Sequence, residues 1–242
     1  MRRDFINQPV LRSGDVLAGA TRVDLTDMER VFGEHDGERC DKWRQYLPIY
    51  DRHLGRFRGS PVRMLEIGVA NGGSFEIWRR YLGADACLHG LDISRSDEAI
   101  RCLAQVGATL HFGDQKDAAL LQGIAAQMGG LDVVLDDGSH DSVDQIRTFE
   151  TLYPLLAPGG IYLCEDTHTS YFASFREGNT FVEFAKRKVD ELHSWYLDDS
   201  VGISDAFALQ TSAVLFYDSV VVFERALEGK TAPRRVIVGR DG

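Results

Sequence analysis

Two acidic clusters in this sequence carry the residue types that could do chemistry. The first is Asp136-Asp137-Gly138-Ser139-His140; the second is Glu165-Asp166-Thr167-His168-Thr169-Ser170-Tyr171. If the two lie side by side, four carboxylates share one crevice. That many like charges repel, so a site of this kind binds a cation or holds a proton. All-oxygen ligands suit a hard divalent ion such as Mg2+ better than zinc.

Each cluster ends a short apolar run, Leu131-Asp-Val-Val-Leu135 for the first and Ile161-Tyr-Leu-Cys164 for the second. Short apolar runs bounded by glycine and polar turns read as buried parallel strands. In an open α/β sheet the working groups stand just beyond the carboxyl ends of such strands. The rest of the chain supplies matching elements. Strands are expected at 62–68, 87–93 and 108–112. Helices are expected at 75–82, with Ser74 as N-cap, at 97–106, and at 118–128, closed by Gly129-Gly130. A helix over 142–156 joins the two acidic strands. This alternation predicts an α/β fold, a doubly wound Rossmann-like sheet that is mostly parallel. Two strands within 213–223, around an Asp218-Ser219 turn, predict a C-terminal antiparallel hairpin at its edge.

Upstream, Trp43, Tyr46, Leu47, Tyr50 and Leu54 recur at helical spacing, a packing stripe that Pro48 should distort. A short helix is expected near 25–32, an amphipathic helix over 179–196 and a loop over 197–210. The division expected is an arm at 1–40, one domain at 41–225 and a polar tail at 226–242.

Composition narrows the function. The 242 residues are 44% hydrophobic and 26% charged, ordinary values for a chain with a full core. The formal net charge of -10 argues against nucleic acid and against an anionic membrane surface. Cys40, Cys87, Cys102 and Cys164 form no CxxC pair and no zinc-ligand spacing, so reduced thiols are expected. The N-terminus has no apolar core of a signal peptide, and no run of about 18 apolar residues spans a bilayer. A cytoplasmic protein is the expectation.

The turn after the first strand reads Glu66-x-Gly68-x-x-x-Gly72-Gly73, not G-x-G-x-x-G. Glu66 places negative charge where a pyrophosphate needs positive potential, and suits an amine-bearing ligand instead. Asp92, at the next strand end, is placed to accept ribose hydroxyls. Asp114, after the third, is placed to accept from an adenine amino group. The set fits S-adenosylmethionine better than NAD.

On Glu66-Ile-Gly-Val, Gly90-Leu-Asp-Ile, Gly113-Asp-Gln, Asp136-Asp-Gly-Ser-His and Glu165-Asp-Thr-His-Thr-Ser-Tyr, the chain resembles class I methyltransferases. It is most similar to the metal-dependent sugar O-methyltransferases of macrolide and rhamnoside tailoring, the demethylmacrocin O-methyltransferase group. The resemblance covers roughly residues 41–225. It implies Mg2+ held by Asp137, Glu165 and Asp166, with His140 as general base. It implies S-adenosylmethionine bound by Glu66, Gly68, Ser74, Asp92, Asp114, Gln115 and Asp136, and an acceptor pocket that includes His168 and Tyr171. The acceptor implied is a sugar hydroxyl on a small-molecule glycoside or glycan, and a homo-oligomer is expected. A non-sugar vicinal diol is the alternative acceptor. A nicotinamide-dependent oxidoreductase on a similar sheet is the competing activity, disfavoured by Glu66 and the missing fingerprint. A catalytically silent binding module is disfavoured by the intact acids.

Overall fold

The structure is a computed structural model that describes residues 12, 15–16, 25–174, 178–196, 205–230 and 235–239. Most of the arm, Phe175, residues 197–204 and parts of the tail therefore lie outside the described residues. In chain order the elements are α1 (Asp27–Gly33), α2 (Tyr46–Leu54), β1 (Arg63–Ile67), α3 (Gly73–Leu82), β2 (Cys87–Asp92), α4 (Asp97–Gln105), β3 (Thr109–Phe112), α5 (Ala118–Gln127), β4 (Leu131–Asp136), α6 (Ser142–Leu152), β5 (Leu156–Cys164), α7 (Phe181–Leu192), α8 (Asp205–Gln210), β6 (Thr211–Phe216) and β7 (Val221–Arg225). The strands form a seven-stranded sheet in the order β3-β2-β1-β4-β5-β7-β6. β1, β4 and β5 pair in parallel, and β7 runs antiparallel to both β5 and β6. The expected fold is the observed one.

Chain contacts divide the described residues into two compact units. One runs to Val62 and resumes over Val69–Phe112; the other comprises Arg63–Gly68 and everything from Gly113 onward. In the first unit, α1 opens with a capping box, in which Thr26 and Glu29 satisfy each other's backbone N–H groups. α2 begins at Tyr46, so Pro48 falls in its first turn. There the missing N–H is an orphan anyway, and the helix runs on undistorted. Its stripe packs as expected: Tyr46, Leu47, Tyr50 and Leu54 are buried, and the Tyr50 ring meets Trp78 edge-on at 5.2 Å. α3 starts two residues earlier than expected. Gly72, at φ 91°, caps it in the left-handed region, and Ser74 is its second residue with no capping role.

In the second unit, Pro154 ends α6 at Leu152, and a tight 3-10 turn over Tyr153–Leu155 leads into β5. The hairpin turns at Asp218-Ser219, where the Tyr217 N–H donates to the Val220 carbonyl. Residues 205–210, expected in a loop, form α8. Asp-Ala-Phe-Ala-Leu-Gln is a run of good helix formers behind an acidic first residue, and it buries Phe207 and Ala208. Phe149, Tyr153, Phe181, Phe184, Phe207 and Phe223 make the aromatic core of this unit. None of the four cysteines is in a disulfide. No helix among the described residues is long and apolar enough to cross a membrane.

One pair in the first unit ties stability to pH. His89 on β2 and His111 on β3 are 2.9 Å apart, Nδ1 to Nε2. Burial holds both imidazoles below their usual range, and the charge of His111 lowers His89 further. The unfolded chain therefore binds more protons than the folded one below about pH 6.5. The stability is present above that pH and is lost as pH falls toward the depressed folded values. Between pH 7.5 and 5.5 the urea midpoint of the wild type should fall relative to that of His111→Gln, a comparison in which the opposing contribution of the raised Asp136 carboxyl, common to both proteins, cancels.

Candidate functional site

The strand order reverses between β1 and β4, and the carboxyl ends of these two strands mark the switch point where α/β sheets bind ligands. Ile67 pairs with Asp136, and the ladder continues with Asp137 N–H donating to the Ile67 carbonyl. On the other side of β4, Asp136 pairs with Cys164 of β5, and Glu165 N–H donates to the Asp136 carbonyl. Both acidic clusters thus leave neighbouring parallel strands at the same end of the sheet.

Beyond those ends the backbone does something unusual. His140 (φ 58°) and Asp166 (φ 53°) both sit in the left-handed region without being glycine. Such conformations cost free energy and cluster where a site demands them. Here donor atoms of Asp137, His140 and Asp166 all lie within 4.8 Å of one another. His140 Nε2 is 3.6 Å from an Asp166 oxygen and 4.0 Å from an Asp137 oxygen. Its Nδ1 is buried and meets no hydrogen-bond partner among the described residues. Glu165 is also buried, but it is not among the side chains whose donor atoms gather. His168 Nδ1 lies 3.9 Å from the second Asp166 oxygen and bonds to Ser219 Oγ in the hairpin turn. Tyr171, at 68% exposure, closes the 3-10 turn over Thr167–Tyr171 with most of its side chain in solvent.

Asp136 follows the opposite face. It is fully buried, and it accepts from Tyr162 Oη at 2.6 Å and from Gln115 Nε2 at 3.4 Å. Burial pushes its carboxyl up to about 7, with the Asp137 charge adding to the rise and the hydrogen bonds opposing it. The Cys164 thiol is pushed well up, first by burial and then by Asp136, Glu165, Asp166 and Asp137. The acidic field at these strand ends is therefore felt by its neighbours.

The residues expected to meet a cofactor are placed as follows. Glu66 is buried on β1. Gly68 turns the chain at φ 86°, and a Cβ there would lie 2.0 Å from the Asp137 carbonyl oxygen. Gln115 is occupied within the protein: its Nε2 donates to Thr148 as well as to Asp136, and its Oε1 accepts from Ser139 N–H. Asp114 accepts from Lys116 N–H and shapes that turn. In the first unit, one Asp92 oxygen accepts from the N–H groups of Val69 and Ala70 and the other from Ser94 N–H. The oxygen that accepts from Ser94 keeps lone-pair capacity for a further donor, whereas the other already accepts two. Ser74 is buried in the first turn of α3.

Two residues passed over in the sequence also shape the site. Tyr162 supplies the proton donor to Asp136, and nothing in its sequence context marks it. Thr169 donates its hydroxyl to the carbonyls of both His140 and Asp166. Its position three residues after Asp166 is a capping-type spacing that signals half of this arrangement.

Gly68 makes the site sensitive to one methyl group. Gly68→Ala places a side chain in a left-handed position, costing about 1–3 kcal/mol, and drives its Cβ into the Asp137 backbone. The variant should lose at least that much stability by urea unfolding; a change below about 0.5 kcal/mol would show that the loop after β4 yields freely.

Comparison with known proteins bears on the domain that carries these residues. Residues 65–167 match the family described as "Methyltransferase domain". The 8-demethyl-8-alpha-L-rhamnosyl tetracenomycin-C 2'-O-methyltransferase of Streptomyces olivaceus is 38% identical over 192 residues, 74% of this chain and 49% of that protein. Demethylmacrocin O-methyltransferase of Streptomyces fradiae is 31% identical over 207 residues, 80% of this chain and 51% of that protein. The MycE methyltransferase of the mycinamycin biosynthetic pathway, solved in complex with Mg, SAH and mycinamycin VI, is similar with a TM-score of 0.66 at 30% identity. That likeness covers 75% of this chain and 48% of that one. The chain thus spans about half the length of the curated relatives it matches. The stretch 65–167, which carries the parallel strands of a sheet completed by an antiparallel hairpin further on, is a methyltransferase domain of the Rossmann-like class.

Proposed function

We propose that this chain is a Mg2+-dependent O-methyltransferase that moves a methyl group from S-adenosylmethionine to a sugar hydroxyl of a natural-product glycoside. The observation that carries the reading is the gathering of Asp137, His140 and Asp166 within 4.8 Å at the carboxyl end of the sheet. Ligand atoms on one Mg2+ lie at most about 4.2 Å apart, twice the metal–oxygen distance, so the span is close to what one ion requires. Hard carboxylate oxygens suit that ion. Likeness to relatives named as glycoside O-methyltransferases, and to a structure in complex with Mg and SAH, supports the same assignment.

Asp137 and Asp166 would hold the ion; Glu165 is assigned as the third carboxylate on the resemblance of its motif, although its donor atoms do not gather with theirs. When bound, the ion offsets the carboxylate charge and lowers the pKa of an acceptor hydroxyl. His140 Nε2, which faces both carboxylates, would take the proton of the acceptor hydroxyl. Glu66, Gly68, Ser74, Asp92 and Asp114 are assigned to the cofactor. For Asp136 and Gln115, their internal hydrogen bonds support a role in shaping the loop after β4. His168 and Tyr171 are assigned to the acceptor side. The absence of disulfides among the four cysteines supports action in the cytoplasm.

Turnover, followed as S-adenosylhomocysteine release with a panel of rhamnosides and macrolide glycosides, should stop in EDTA and return with Mg2+. Asp166→Asn should stay inactive at millimolar Mg2+. Full activity in excess EDTA would overturn the metal reading. His140→Ala should lower kcat by about 10²–10⁴ while S-adenosylmethionine still binds by calorimetry. A kcat within a few-fold of wild type at saturating Mg2+ would move the base role elsewhere.

A further inference from the structure

Thr169 joins two loops that the sheet alone leaves separate. It lies in the 3-10 turn after Asp166, at 5% exposure. Its hydroxyl is 2.8 Å from the His140 carbonyl and 2.9 Å from the Asp166 carbonyl, and donates to both. One hydroxyl hydrogen is thus shared in a three-centre bond. The two acceptors belong to the two non-glycine residues of this site that hold left-handed backbone. Such residues stay there only where their surroundings over-determine them. A bond to the carbonyl of each is a restraint at the point of strain. The backbone at His140 and Asp166 in turn aims two of the three side chains whose donor atoms gather. The Asp166 carbonyl also accepts from the Thr169 N–H at 3.0 Å, so that loop keeps one tie without the hydroxyl, whereas no other hydrogen bond from Thr169 reaches the His140 loop.

We propose that Thr169 is a positioning residue: its hydroxyl pins the His140 loop to the Asp166 loop and so sets the distance from His140 to the two carboxylates. The proposal rests on the reading of this cluster as a divalent-metal and proton-transfer site. Thr169 is assigned neither to the metal nor to the acceptor; its hydroxyl is spent on the two carbonyls.

The test uses the whole chain and three variants. Thr169→Val keeps the shape and removes the hydroxyl, Thr169→Ser keeps the hydroxyl, and Thr169→Cys puts a weak donor in its place. Mn2+ binding by electron paramagnetic resonance, without acceptor, reads the carboxylates; kcat at saturating metal reads His140. Thr169→Val should weaken Mn2+ binding about tenfold and lower kcat by a similar factor, the size expected from one lost buried hydrogen bond. Thr169→Ser should stay within about twofold of wild type, with Thr169→Cys between them. S-adenosylmethionine affinity by calorimetry should not move. Unchanged Mn2+ affinity and kcat in Thr169→Val, with only a lower melting temperature, would overturn the proposal. So would a Ser variant as impaired as the Val variant. If Thr169→Val does not fold, the Cys variant decides, and wild-type behaviour there overturns the pin. Wild-type protein that binds no Mn2+ would instead overturn the metal reading, and the pin with it.

Discussion

Parallel pairing of β4 with β5 sets Asp136 opposite Cys164, so the carboxylates at and after the two strand ends emerge as neighbours. This is the constraint under which the rest of the site is arranged. Four like charges at one edge cost free energy; burial is the first cause of the rise of Asp136 to about 7 and of the Cys164 thiol, and the neighbouring acids add to both. The protein separates the charges by two means. Strand alternation sends Asp136 inward to Tyr162 and Gln115, while Asp137 faces the other way. Left-handed backbone at Asp166 then turns its side chain toward Asp137 and His140. What remains at the surface of the cluster is two carboxylates and an imidazole, an arrangement that a cation would stabilise.

The surrounding hydrogen bonds make the arrangement stiff. Gln115 is bonded to Asp136, Thr148 and Ser139 at once, so the turn after β4 is tied both to the strand and to α6. Ser139 in turn donates to Asp144 in the first turn of α6. Gln145, one residue on, donates to the Glu165 carbonyl across to the loop after β5. Geometry at the metal-ligand scale is sensitive to shifts of about 1 Å. Two loops that each carry a strained residue need this density of fixed bonds to hold that tolerance.

Much of this was legible in the sequence, and the reasons are specific. The apolar runs ending in Asp136-Asp137 and Glu165-Asp166 declare buried strands with polar ends, and nothing else fits that pattern in an alternating chain. The hairpin at Asp218-Ser219 and the helix near residue 27 are likewise local, set by turn chemistry and a capping box. What could not be read were facts of long range. The engagement of Gln115 with Ser139 and Thr148 depends on how α6 lies against the strand ends. Neither the standing apart of Glu165 from the gathered donor atoms nor the left-handed step at Asp166 is announced by composition or spacing. Ser74 failed as a cap for a local reason: glycine at position 72 permits an earlier, left-handed start to the helix.

The hairpin turn at Ser219 has a consequence for the order in which the protein matures. Thr167 N–H donates to the Ser219 carbonyl, and the Ser219 hydroxyl bonds to His168, so the loop that carries Asp166 is fastened to chain made some fifty residues later. β7 also completes the outer side of β5. During synthesis, β1 and β4 have their helices and neighbours available early, but the loop after β5 waits for contacts of high sequence separation, the slow kind to form. The nascent chain can therefore assemble most of its sheet while its acidic loop is still unfastened. Completion of the hairpin is then the event that converts a folded sheet into an assembled site.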